Sequence, residues 1–130
     1  MMTREEIYKD IEETLGGVGG YIEKLYDSQL ELMWETTKQT FLSDMSLGLK
    51  VNALTALSAA YALDCEYWIE FHSQTARLAG ASEENIQDVK KLSEFSAQWS
   101  QFLEGINYDF KQWKEEATAA HQFIAGKMGG

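Results

Sequence analysis

Along most of the chain, apolar residues recur every three or four positions rather than alternating, so the long segments read as helices with one buried face. Thr3 followed by Glu6 forms a capping-box pattern that opens a first helix, whose apolar side is Ile7, Tyr8, Ile11 and Leu15. The "GGVGG" stretch from Gly16 to Gly20 stops it, and its spacing suits a flexible turn, since it has no Walker lysine and no preceding strand. A second helix is predicted from about Tyr21 to Leu42, with Ile22, Leu25, Tyr26, Met33, Trp34, Thr37 and Phe41 as its apolar face. After the turn "SDMSLG", a third covers roughly Leu49 to Leu63. It is rich in alanine (Ala53, Ala56, Ala59, Ala60, Ala62) and carries Leu54, Leu57 and Tyr61. Small side chains let helices approach closely, which marks this helix as the central one.

Asp64 is placed to cap a fourth helix, Cys65 to Leu78, which Gly80 would end. Ser82 with Glu83 and Glu84 starts a fifth, because acids in the first turn suit the helix dipole. Its stripe is Ile86, Val89, Leu92, Phe95, Trp99, Phe102 and Leu103. Gly105 interrupts it before a last helix over 106–130 that carries Ile106, Phe110, Trp113 and Phe123, and the tail "GKMGG" is expected to fray. The density of Trp99, Phe102, Tyr108, Phe110 and Trp113 points to a surface shared with another copy of the chain, because aromatics are enriched in interface cores.

Composition sharpens this picture. The 130 residues contain no proline, which agrees with an all-α chain. That length suits a single domain spanning 1–130 and is enough to bury a core. The net charge of −10 argues against nucleic acid, whose phosphates need cations, and against anionic membrane surfaces. No apolar run approaches the ~18 residues of a membrane span, and "MMTREEIYKD" lacks the apolar core of a signal peptide. The expected location is the cytoplasm.

The one cysteine, Cys65, excludes an intrachain disulfide and any all-cysteine zinc site. In the first turn of a helix its thiol would be favoured as thiolate by the dipole, with Asp64 and Glu66 opposing. Residues 65, 68 and 72 share one helix face. Cys65 and His72 are two turns apart, roughly 10 Å along the axis, so the residue able to touch both is Trp68. Trp68 has no thiol chemistry and fills that space. Glu66 and Glu70 lie on the adjacent face, but no Glu-x-x-His pair exists to suggest a di-iron bundle. No metal or other cofactor is expected, and His121, near the tail, receives no role.

The stretch "ALTALSAAYALDCEYWIEFHSQTARLAGASEENIQDV", with "ETLGGVGGYIEKLYDSQLELM" upstream, resembles the alkylhydroperoxidase D-like, or carboxymuconolactone decarboxylase, family over roughly residues 12–95. That family reads as an alanine-rich helix, then Cys-Glu-Tyr-Cys, three residues and a His, then "A-x-x-A-G-A-T/S-E-E-E-I". The resemblance implies a bundle of about six helices assembling as a homotrimer or homohexamer. It also implies a peroxiredoxin-type thiol peroxidase or disulfide reductase, in which the histidine serves the second cysteine and a glutamate on the preceding helix relays protons. Matched residue by residue, Cys65 is the first cysteine, Tyr67 the tyrosine and His72 the histidine. Trp68 replaces the second cysteine, Ala53 replaces the relay glutamate, and Lys50 matches a lysine that often precedes it.

Three readings follow. Cys65, assisted by His72, acts as a lone peroxidatic thiol resolved by an external thiol reductant. Alternatively, the redox chemistry is gone, and Tyr61, Cys65, Trp68 and His72, supported by Glu66 and Tyr67, line a pocket for a small apolar or aromatic ligand. In the third reading the chain is a structural oligomeric module.

Overall fold

The computed structural model describes residues 1–129, and among these it has six α-helices and no strand. The helices are α1 (Arg4–Leu15), α2 (Asp27–Thr40), α3 (Leu49–Ala62), α4 (Glu66–Leu78), α5 (Glu83–Gly105) and α6 (Phe110–Met128). The capping box opens α1 as its sequence pattern predicts. The Glu6 amide donates to the Thr3 hydroxyl at 3.2 Å, and the Thr3 amide donates to the Glu6 carboxylate at 2.8 Å. Gly16 closes the helix in the left-handed region, at φ 86°, where a side chain would be strained.

The helix expected from Tyr21 to Leu42 is broken. Ile22–Lys24 form one 3-10 turn, Leu25 and Tyr26 are extended, and α2 begins only at Asp27. A residue far away in sequence spans the break. Arg4 donates to the Leu25 carbonyl at 2.6 Å and pairs with Asp27 at 2.6 Å, so it grips both sides of the break. Leu30, one helical turn beyond the break, is fully buried, whereas Tyr26 and Met33, assigned to the apolar face, are exposed.

Two cores result. Between α1 and α2, Ile7, Ile11, Leu30 and Trp34 bury almost completely, with Val18 from the glycine-rich turn, Ile22, Leu25 and Leu42 around them. Side chains of this size contribute roughly 1.5–3 kcal/mol each on burial. Asp10 latches the same pair of helices by accepting from the Trp34 indole at 2.7 Å and the Lys38 ammonium at 2.6 Å. The second core is made of small residues. Ala53 of α3 meets Ala76 at the end of α4 and Ala81 beyond it, and α3 packs along both α4 and α5. A methyl contributes only about 0.8 kcal/mol on burial, so this contact works through close approach. Ser93 of α5, for example, comes near enough to donate to the Ser58 carbonyl of α3 at 2.6 Å.

α5 and α6 differ from expectation. Of the stripe on α5 only Ile86 is buried, while Leu92, Phe95, Trp99 and Phe102 face outward. Helix α6 starts at Phe110, not Ile106, with Asp109 accepting from the Gln112 amide at 2.9 Å as its cap. It continues through Gly126 and Lys127 to Met128, the stretch expected to fray, while Gly130 lies outside the described residues. No residue of α6 is buried.

Candidate functional site

The site begins where α3 turns into α4. Asp64 is not the cap of α4. It sits at φ 50° and closes α3, its amide donating to the Tyr61 carbonyl at 3.1 Å while the Cys65 amide reaches back to the Ala60 carbonyl at 3.0 Å. These paired bonds satisfy carbonyls left free at a helix end and require a left-handed residue between them. Cys65 therefore becomes the N-cap of α4, in extended conformation and without a capping hydrogen bond from its side chain. It is partly exposed and free.

One turn on, Trp68 stacks on His72, with ring centres 5.1 Å apart and planes at 20°. Phe41, just past the end of α2, meets His72 edge-on at 4.6 Å and Trp68 at 5.5 Å. Phe71 closes a further side, 5.2 Å from Trp68 and 5.5 Å from His72. His72 is only 4% exposed, and burial holds its pKa below the ordinary 6.5, with no charged neighbour contributing. A histidine so enclosed favours its neutral form and acts as a packing element, stacked on Trp68 and met at steep angles by Phe41 and Phe71.

The other residues expected at the site disperse. Tyr67 is 79% exposed and Glu66 also faces solvent, while Tyr61 is half-buried on the last turn of α3. Ala53, at the relay position, is packed against Ala76 and Ala81, so a carboxylate there would enter an apolar contact at a heavy desolvation cost. Lys50 is exposed on the first turn of α3. Glu70 accepts from Gln74 at 2.8 Å, one turn along the surface of α4. Among the described residues no group of three or more His, Cys, Asp or Glu side chains gathers as a metal would require. The cavity that Trp68 borders is walled mainly by residues of α1, α2 and the segments flanking α2, and Tyr61, Cys65 and His72 are not among its walls.

Sequence reasoning missed Phe41 and Phe71 as parts of this cluster. Phe71 carried a signal, since it lies three residues after Trp68 and beside His72. Phe41 carried none, because its contact crosses the turn between α2 and α3.

An alanine-lined α3 packed on a helix that opens with Cys-Glu-Tyr and carries a histidine seven residues later defines the helical class to which the chain belongs. The profile of the carboxymuconolactone decarboxylase family matches residues 28–108, and the chain is a member of that family. No curated protein and no solved structure matches it significantly. No helix of the described residues is long and apolar enough to cross a membrane.

Proposed function

We propose that this chain is a family member without dithiol chemistry, in which the redox site has become an aromatic brace between α2 and α4. The observation that carries the reading is Trp68 stacked on His72. A dithiol peroxidase needs one thiolate to attack the peroxide oxygen and a second thiol to resolve the sulfenic acid as a disulfide. Here the second thiol is an indole, the histidine is buried against it, and the only thiol stands at the far end of the helix turn. A lone free cysteine on an acidic chain suits the reducing cytoplasm.

The test is turnover of hydrogen peroxide and cumene hydroperoxide with dithiothreitol as reductant, comparing the protein with Cys65→Ser. The expected result is the same background rate for both. Turnover that disappears in Cys65→Ser overturns the reading. It would make the chain a single-cysteine peroxidase in which the external thiol supplies two electrons and resolves the Cys65 sulfenic acid.

We also propose that copies of the chain assemble through α5 and α6, as the homotrimer or homohexamer that the family resemblance implies. The support is the outward stripe of Phe95, Trp99 and Phe102, continued by Ile106 and Phe110, beside a helix that buries nothing of its own. Helices without a packed face are marginal in water, so α6 needs a partner to persist. A monomer by light scattering at micromolar concentration would refute this.

A further inference from the structure

Trp68 and Phe71 also border a cavity of about 140 Å³ whose other walls come from α1, α2 and the segments flanking α2. Leu30 and Trp34 form its buried floor, Leu25 and Leu42 its sides, and Leu15, Tyr21 and Met33 its more exposed rim. The polar hydrogens deepest in these walls are already committed, and the remaining polar groups belong to Tyr21 and Trp68, which are partly open to solvent. The Trp34 indole N–H donates to Asp10 at 2.7 Å, and the Thr37 hydroxyl donates to the Met33 carbonyl at 2.7 Å. Water needs two to four polar partners to be held in a cavity, and these walls supply little to satisfy it. An apolar cavity of about 150 Å³ has room for a benzene-sized molecule and takes one up.

The geometry points to a binding site here for a neutral, hydrogen-bond-poor molecule the size of one aromatic ring. The inference builds on the reading of Trp68 as a wall rather than a reactive position, and it deepens that reading by naming what the wall encloses. The ligand slides between the α1–α2 pair and α4, stacking or edging on Trp68 and Phe71 and displacing no ordered charge. The break between the 3-10 turn and α2 contributes to the opening, since Tyr21, Ile22 and Leu25 all border the cavity. A continuous helix through this region would carry these side chains in a different register.

The probe is toluene, titrated into the full chain and followed by tryptophan fluorescence and thermal melting. The expected result is a saturable fluorescence change, a melting temperature that rises with toluene concentration, and nuclear Overhauser contacts from toluene to the methyls of Leu30 and Leu42. Thr37→Leu and Leu42→Phe fill the space and weaken binding at least about ten-fold, while Tyr67→Ala on the exposed side of α4 leaves it unchanged. Phenol is expected to bind more weakly than toluene, because the buried floor of Leu30 and Trp34 offers its hydroxyl no free partner. Absence of saturable binding, contacts to residues elsewhere, or folded filling variants that bind toluene undiminished would each overturn the proposal. Phenol binding as well as toluene overturns the ligand class. Peroxide turnover is measured separately, so loss of this site and loss of the redox-silent reading are distinguishable.

Discussion

His72 lies inside a ring of Phe41, Trp68 and Phe71, and that surrounding sets its chemistry more than its own identity does. Burial lowers its pKa in the folded state below 6.5, so the unfolded chain takes up a proton first as the pH falls. Stability from neutral His72 is therefore complete above about pH 6.5, is lost as the pH falls from there toward the folded-state pKa, and then levels off. Urea melts between pH 7.5 and 5 should show this decline, and His72→Phe should flatten it. A decline of equal slope in both proteins would mean that other groups cause it. At this scale the sequence was informative about spacing and silent about enclosure. That position 68 lies between Cys65 and His72 follows from 3.6 residues per turn. That Phe41 completes the enclosure depends on how the chain returns after α2.

At the scale of elements, three helices end in the same way, with Asp64, Gly80 and Asn107 each in the left-handed region after α3, α4 and α5. Each is followed by an amide reaching back five residues: Cys65 to Ala60, Ala81 to Ala76 and Tyr108 to Leu103. Only one of the three positions is glycine. Aspartate and asparagine tolerate this conformation better than most residues but still carry strain that glycine does not. Asp64→Gly and Asn107→Gly are each expected to raise stability by about 0.5–1 kcal/mol. The measurement is a higher urea midpoint at unchanged slope, with protein concentration held constant. A lower midpoint in both would show that the greater freedom of glycine in the unfolded chain outweighs the relief. Gly80 announced its helix end in the sequence, whereas Asp64 read as the cap of the next helix, because aspartate suits both positions. The break before α2 was not read locally either, and Arg4, which bridges it, lies 21 and 23 residues away from its two partners.

At the scale of the whole molecule, the apolar surface is unevenly spent. The α1–α2 core and the alanine contact of α3 with α4 are closed, but Leu92, Phe95, Trp99, Phe102, Phe110 and Phe123 remain outward. If copies assemble on this surface, a charge placed within it should separate them. Trp99→Glu with Phe102→Glu is expected to reduce the mass in light scattering to that of one chain. It should also diminish the helical circular dichroism signal as α6 loses its support. An unchanged mass would place any assembly surface elsewhere on the molecule.

The sequence by itself determined that the chain is all-α, where most helices start and stop, that α3 is the close-packed one, and that the usual pair of thiols is missing. These are local matters: periodicity, caps, side-chain size and the count of cysteines act over one or two turns. Only the tertiary structure decided that Arg4 bridges a break in the second helix, that Phe41 encloses His72, that Trp68 walls an apolar cavity, and that α6 stands without a core. Each of these depends on residues distant in the chain being brought within a few ångströms. Packing of that kind is a property of the folded whole, and no single segment carries its signal.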